Sequence, residues 1–327
     1  METGVVAHLF APLLAAIVSS AIMLVLLRVR GLPLDAPNER SLHRIAVPRS
    51  GGIAIITGIV AAALWLRASP SLMVPVLALA VVSYLDDRHA LPAAARLVMH
   101  LIAAGAFLWL TSGLSSAALM VFLLLAITWI TNLYNFMDGS DGLAGGMAVI
   151  GFGTYGLAAW LGGNGEFAAL AWSIAAAAAG FLIFNFPPAR VFMGDVGSIP
   201  LGFLAGAFGV AGWEQGLWPL GFSVMVFAPF MVNASITLAR RLLRGERVWQ
   251  PHREHYYQRL ILSGWSHRRT ALSEYALMLL CSVAALISLR QTPSRQLALI
   301  VALTLIMTAA MWAIDRRWKR FSAQAHG

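Results

Sequence analysis

Charge is what this sequence has least of: Asp, Glu, Lys and Arg make up 11% of its 327 residues, against about 25% in an ordinary globular domain. With 59% hydrophobic residues and a mean hydropathy of +0.76, the chain reads as a polytopic membrane protein rather than a soluble one. A single cysteine, Cys281, excludes an intrachain disulfide, and its apolar surroundings make it a packing residue. No Lys or Arg precedes the first apolar run, which argues for a retained first span over a cleaved signal peptide. No Walker A pattern GxxxxGK[ST] occurs, so a soluble-type nucleotide site has no support. No Ser- or Gly-rich linker interrupts the runs and the second half does not repeat the first, so residues 1–327 read as one integral domain.

What is present is a series of continuous apolar runs, each near the length that a hydrocarbon core of about 30 Å demands of a helix. Because the runs are continuous and not alternating, they predict helices and not a barrel. Spans are expected at roughly 7–27, 51–66, 72–85, 93–111, 116–134, 142–161, 167–184, 199–213, 219–239, 271–289 and 296–314, an all-α protein of about eleven transmembrane helices. The loops then alternate in charge. One side holds 20 of the 23 Lys and Arg, while Arg67, Arg290 and Arg295 fall on the other. The positive-inside rule makes the rich side cytoplasmic, with the N-terminus outside and the C-terminus inside. The net charge of +9 is thereby accounted for without a nucleic-acid partner, and no nucleic-acid-binding module is visible.

The acidic residues sharpen this division, since only Glu2, Glu166 and Glu214 of the fourteen lie on the outer side. The rest lie in or beside the inner loops, about 28–50, 85–92, 132–142, 185–198 and 240–270. Ionisable groups at bilayer depth usually mark a pathway or a site. Here they gather at span ends, which points to an interfacial active site on the inner face.

Four constellations stand out. In "SYLDDRHALP" the adjacent Asp86 and Asp87 repel each other and need a cation, a metal or a shared proton, with Arg88 at a solvated helix end as the simpler alternative. In "TNLYNFMDGSDGLAGG" the residues Asn132, Asn135, Asp138 and Asp141 recur every third position, although only neighbouring members share a helix face. Asp141 could instead cap the helix that begins near Gly142. In "FNFPPARVFMGDVGS" the pair Pro187–Pro188 stops one helix and Asp195 opens the next, where capping is again the plain reading. An oxygen-rich set drawn from Asn135, Asp138, Asp141 and Asp195 suits a hard cation such as Mg²⁺ that keeps some waters, and no cysteine or His pair at metal spacing suggests zinc. The fourth is cationic: Arg40, His43, Arg44 and Arg49 in "PNERSLHRIAVPRSGG", and His252, Arg253, His255 and Arg259 in "RVWQPHREHYYQRL". These could meet phosphate, with Gly51 and Gly52 letting backbone approach a ligand. A basic patch facing anionic lipid is the alternative, and the preferred one for Arg240, Arg241, Arg244, Arg316, Arg317, Lys319 and Arg320.

Carboxylates for a metal, Arg and His for phosphate, and a membrane alongside fit phosphoryl transfer on a lipid. A cation-coupled secondary transporter is the rival class, but it calls for midplane charges and an internal repeat that the sequence lacks. Taken in order, "DAPNERSLHRIAVPRSGG", "LDDR", "NLYNFMDGSDGLAGG", "VFMGDVGS" and "HREHYYQRL" resemble the polyprenyl-phosphate N-acetylhexosamine-1-phosphate transferases, also called glycosyltransferase family 4. The first and last of these look most like the branch that initiates O-antigen and similar surface polysaccharides, with phospho-MurNAc-pentapeptide transferase as the alternative within the family.

The resemblance implies attack by undecaprenyl phosphate on the sugar-bearing phosphate of a UDP-N-acetyl sugar at the cytoplasmic face of the bacterial inner membrane. It implies Mg²⁺, with Mn²⁺ as a substitute, on Asn135 and Asp195. Asp138 and Asp141 would take nucleotide or catalytic roles, and Asp86, with Asp87 beside it, would position or deprotonate the lipid phosphate. Asn132, Arg40, His43, Arg49, Gly51, Gly52, His252, Arg253 and His255 would contact substrate. The last inner loop departs from the histidine-rich run of N-acetylglucosamine-transferring relatives, since Tyr256, Tyr257 and Gln258 follow His255. A 6-deoxy-N-acetyl sugar such as FucNAc or QuiNAc therefore joins GlcNAc as an expected donor. A homodimer is among the assemblies this resemblance leaves open.

Overall fold

The computed structural model describes residues 2–29, 34–35, 42, 46–89, 91–111, 113, 116–248, 250 and 252–325. Arg40, His43 and Arg44, expected at the site, lie outside these described residues, as does the side chain of Arg88. The chain forms thirteen described helices: α1 Glu2–Leu26, α2 Gly51–Trp65, α3 Pro70–His89, α4 Ala93–Thr111, α5 Ala117–Phe136, α6 Leu143–Leu161, α7 Gly165–Asn185, α8 Asp195–Glu214, α9 Leu220–Val226, α10 Ala228–Leu243, α11 Tyr256–Leu262, α12 His267–Ser288 and α13 Pro293–Ala325. Leu34–Asp35 (β1) and Val47–Pro48 (β2) pair antiparallel, with Leu34 opposite Pro48.

Among the described residues nine helices are long and apolar enough to cross a membrane, and the pair α9 and α10, bent by 78°, makes a tenth. This is an all-α polytopic membrane protein. Each of the eleven expected spans falls on a helix or on that bent pair, although α2, at 15 residues, is shorter than a full crossing. Several expected loops proved to be partly helical. Asp86 and Asp87 belong to the last turn of α3, and Asn132 and Asn135 to the last turns of α5. Within 240–270 the short helix α11 is set between α10 and α12, and α13 continues well past Ile314. The helix signals at these ends are strong, and hydropathy marks where a span leaves the apolar layer, not where its hydrogen bonding stops.

The most enclosed helix is α8, packed against α2, α3, α4, α5, α6 and α9. In a membrane, where helix association rests on close packing more than on hydrophobic burial, small residues allow such proximity. At the first turns of α2 and α8 the approach is at its limit: a Cβ on Gly52 would overlap the backbone of Gly197, and one on Gly197 would overlap Gly52. The contact is reinforced by backbone bonds, with the Gly51 and Gly52 N–H groups donating to Phe192 O and Met193 O at 2.9 and 2.8 Å, and Phe192 N–H donating to Pro48 O at 2.8 Å. These glycines were expected to admit a ligand. They admit another segment of the chain instead, and their N–H groups are already used.

The helices run up and down, so the end of α3, the start of α4, the end of α5, the start of α6, the end of α7 and the starts of α8 and α12 meet at one face. All the carboxylates singled out above gather there. Gly52→Ala is expected to lower the melting temperature of the detergent-purified protein by several degrees, because backbone must shift to admit the methyl group. Gly153→Ala, in α6 where an added Cβ meets nothing within 4 Å, should leave the melting temperature unchanged or slightly higher. Equal losses in the two variants would refute this account of the α2–α8 contact.

Candidate active site

The site forms because two helices start with glycines at positive φ. Gly142 (φ 75) precedes α6 directly after Asp141, and Gly194 (φ 70) precedes α8 directly before Asp195. Side chains other than glycine rarely adopt this conformation. Asp141 therefore does not cap α6, because Gly142 occupies the cap position. Its Oδ2 instead accepts from the Ala189 N–H at 3.0 Å, drawing the 186–194 connection across the mouth of α6. Asn185, buried at the end of α7, fastens the same connection: its Oδ1 accepts from Gly142 N–H at 2.9 Å and its Nδ2 donates to Val191 O at 2.8 Å.

A cavity of about 280 Å³ lies at this junction, lined by Arg49, Asn135, Asp138, Asp141, Asp195 and His267, among others. Arg49 is carried in by the 48–52 segment that pairs with residues 192–193. Its guanidinium donates to Asp195 Oδ1 at 2.5 Å and lies 3.4 Å from Asp87. Burial opposes its charge, but Asp195, Asp87, Asp35 and Asp138 together hold its proton more tightly than on a free guanidinium. Arg96, at the start of α4, lies 3.4 Å from Asp86 and 3.9 Å from the second oxygen of Asp195, and Asp86 also accepts from Leu91 N–H at 2.6 Å. The adjacent carboxylates at 86 and 87 are thus kept apart by separate arginines.

Asn135 and Asp138 come from the end of α5 and the turn after it. Asn135 Oδ1 accepts from Ser198 Oγ at 2.8 Å, one turn into α8, which ties the asparagine to the helix that bears Asp195. Burial pushes the Asp138 carboxyl well above the usual carboxylate range; Arg49 and the Gly194 N–H act the other way, and Asp195 and Asp87 add to the rise. His267, the first residue of α12, joins three segments: its Nδ1 lies 3.1 Å from Ser140 Oγ and 3.5 Å from Asp141, and its Nε2 lies 3.4 Å from Leu42 O.

Among the described residues no three His, Cys, Asp or Glu side chains converge as a metal cage. The cavity is nevertheless lined by amide and carboxylate oxygens of Asn135, Asp138 and Asp195. Around it the carboxylates of Asp35, Asp86, Asp87, Asp138, Asp141 and Asp195 outnumber the described guanidinium groups of Arg49 and Arg96. A hard cation that takes one or two protein oxygens and retains water suits such a set.

Several sequence expectations are redirected. Asn132 does not line the cavity: its Nδ2 donates to Thr128 O at 2.7 Å inside α5. His252, Arg253 and His255 do not line it either. His255 is 3% exposed, stacked on Phe136 and Tyr257 at centroid distances of 6.3 and 5.9 Å. Burial pushes its pKa down to about 3, and that of neighbouring His252 to about 4. The part of that loop which does reach the cavity is Gln258. Arg240, Arg241 and Arg244 were expected to face lipid but are held by Glu246, Glu254 and Asp315 at 2.5–2.7 Å. Sequence reasoning missed Arg96, Asn185, Ser198, Gln258 and His267 as parts of the site. Of these Asn185, Ser198 and Gln258 sat in a quoted motif, and Arg96 and His267 did not.

Comparison with known proteins agrees with this geometry. The glycosyl transferase family 4 profile matches residues 69–212, a stretch that contains Asp86, Asp87, Asn135, Asp138, Asp141 and Asp195. A "probable undecaprenyl-phosphate N-acetylglucosaminyl 1-phosphate transferase" of Bacillus subtilis (strain 168) is 29% identical over 296 residues, covering 84% of this chain and 82% of the relative. A phospho-N-acetylmuramoyl-pentapeptide-transferase of Geobacillus thermodenitrificans (strain NG80-2) is 31% identical over 265 residues, covering 71% of this chain and 81% of the relative. A decaprenyl-phosphate N-acetylglucosaminephosphotransferase of Mycobacterium tuberculosis (strain CDC 1551 / Oshkosh) is 28% identical over 290 residues, covering 73% and 71%. Fold and site define a polytopic membrane protein with a carboxylate-lined cavity at one end of its helices. The chain belongs to glycosyl transferase family 4.

The buried histidines give the fold a pH dependence. Folding disfavours their protonated forms, so the unfolded chain takes up protons first as pH falls below about 6.5. Stability should therefore fall from pH 6.5 towards 4. His255→Phe, which keeps the stack with Phe136 and Tyr257, should make the melting temperature less sensitive to pH over that window. An unchanged pH dependence in the variant would count against a neutral buried His255.

Proposed function

We propose that the protein transfers a sugar 1-phosphate from a UDP-N-acetyl sugar to undecaprenyl phosphate, releasing UMP. The observation that carries this reading is the meeting of Asp86, Asp87, Asp138, Asp141 and Asp195 with Arg49 and Arg96 at the ends of membrane helices. A phosphate on a membrane-embedded carrier and a water-soluble nucleotide sugar can both reach such a place. Relatives whose names specify undecaprenyl-phosphate or decaprenyl-phosphate N-acetylglucosamine phosphate transfer support it.

In this reading an oxygen of the lipid phosphate attacks the sugar-bearing phosphorus. The bond from that phosphorus to the bridging oxygen breaks, and UMP leaves with the bonding electrons. Arg49 and Arg96 stabilise the charge that spreads over the phosphoryl oxygens, and Asp86 and Asp87 orient the lipid phosphate through those arginines and accept its proton where one is present. Asp141, with His267 and Ser140, holds the nucleotide side, and Asp138 lies between the two halves. Asn135 and Asp195 would hold Mg²⁺, or Mn²⁺ in its place, which when bound supplies positive charge to the diphosphate. Arg40 and His43 retain their assignment to substrate phosphate. The excess of Lys and Arg in the loops on this side supports a cytoplasmic site in the bacterial inner membrane, with the N-terminus outside and the C-terminus inside. The product, an undecaprenyl-diphosphate-linked GlcNAc, FucNAc or QuiNAc, would initiate O-antigen or a related surface polysaccharide.

Detergent-purified protein with undecaprenyl phosphate and Mg²⁺ is expected to release UMP from at least one of UDP-GlcNAc, UDP-FucNAc and UDP-QuiNAc. Release only from UDP-MurNAc-pentapeptide would favour the alternative suggested by the Geobacillus relative, and no release from any donor would refute the transferase reading. Asp195→Asn should lower kcat by on the order of 10²-fold or more while leaving the protein folded. An unaltered Mg²⁺ concentration dependence in that variant would remove Asp195 from the metal site.

A further inference from the structure

A second cavity, of about 370 Å³, opens between α10, α11, α12 and α13 and shares no lining residue with the catalytic one. Its polar lining includes Glu274, Trp265 and Arg317, and its apolar wall includes Leu277, Met307 and Met311. Glu274 lies seven residues into α12, about 10 Å along the axis at 1.5 Å per residue. It is only 7% exposed, and no hydrogen bond or ion pair with any described residue reaches it. A buried carboxyl without a partner is costly, and so is an unpaired N–H. Trp265 Nε1, also enclosed, is without a partner among the described residues. Across from them the exposed Arg317 uses Nε and Nη2 on Ser263, at 2.9 and 2.6 Å, which leaves Nη1 over.

The groups are graded along the membrane normal. Because α12 and α13 run antiparallel from the short 289–292 connection, Leu277 lies deepest in the apolar layer, Glu274 is level with Met307, Met311 comes next, and Trp265 and Arg317 lie nearest the water. A glycerophospholipid has the same order: acyl chain, ester carbonyls, phosphate. Arg269, whose guanidinium lies 4.0 Å from the Trp265 ring centroid, adds positive charge at the outer end of the series. We propose that this cavity binds one anionic glycerophospholipid of the phosphatidylglycerol class. Its phosphate is met by Arg317 and the Trp265 Nε1–H, its ester region lies beside Glu274, and an acyl chain lies along Leu277 and Met307. The lipid is not the proposed substrate, whose phosphate belongs at Arg49 and Arg96. The short helix α11 separates the two sites: Gln258 lines the catalytic cavity while Tyr256 and Leu260 line this one.

Native mass spectrometry of the full chain, delipidated and then exposed to vesicles of equal parts phosphatidylglycerol, phosphatidylethanolamine and phosphatidylcholine, tests this without any sugar donor. Failure would therefore leave the transferase reading standing. One phosphatidylglycerol should be retained about fivefold over phosphatidylcholine, the ratio expected for about 1 kcal/mol of attraction to a basic residue near the surface. Arg317→Gln should erase that preference and Glu274→Leu should weaken retention, whereas Glu274→Gln, which keeps a polar side chain of the same size, should retain the lipid. Ala310→Phe, which fills the cavity from α13, should abolish retention while an unchanged melting temperature shows the protein to be folded. Equal retention of the three lipids, preference for a zwitterionic one, an unchanged preference in Arg317→Gln, or displacement by equimolar undecaprenyl phosphate would each overturn the proposal.

Discussion

Buried carboxylates have to be neutralised, and most of the architecture at the end of the helices that bears the cavity answers to that constraint. Asp87 and Asp195 come from helices far apart in sequence, and both are taken out of water beside Asp138. An isolated carboxylate in such surroundings costs several kcal/mol, and one cation placed between carboxylates offsets more than one such penalty. Arg49 is that cation. The strand-like contact of 48–52 with 192–193, and the bare glycine backbones of α2 and α8 that permit it, fix where its guanidinium can lie. The first long loop is held to the start of the central helix because charge there has to be shared.

This gives the site two halves of different origin. The carboxylates and Asn135 fall inside the 69–212 stretch matched by the family profile, whereas Arg49 and His267 lie outside it on either flank. The acidic half is built from the ends of α3, α5 and α8, and each of its motifs is local. Arg49 and His267 reach it from the flanking segments through contacts distant in sequence. His267 illustrates this: it touches Ser140 and Leu42, residues that stand 127 and 225 positions away.

The same distinction explains what could be read in the sequence. Spans were legible because a membrane imposes length and hydropathy on each one separately, and the acids were legible because they interrupt those spans. His267 and Arg96 carry no local signal, since each sits at an ordinary polar helix end and becomes informative only through a distant partner. Gly51–Gly52 was legible as a requirement for close approach but not for what approaches, as a ligand and a neighbouring helix ask the same thing of a glycine. His255 misled for a related reason. Its neighbours in sequence are cationic and polar, while its neighbours in space are the rings of Phe136 and Tyr257.

Asp315 lies where α13 has already passed its most apolar stretch, and it accepts from Arg240 of α10 and Arg259 of α11 at 2.7 and 2.6 Å. The last helix is therefore a strut as well as a membrane crossing. It ties the end of α10 to the short helix α11, which reaches the carboxylate-lined cavity through Gln258. A helix that contributes no residue to the cavity thereby helps to fix the position of one that does.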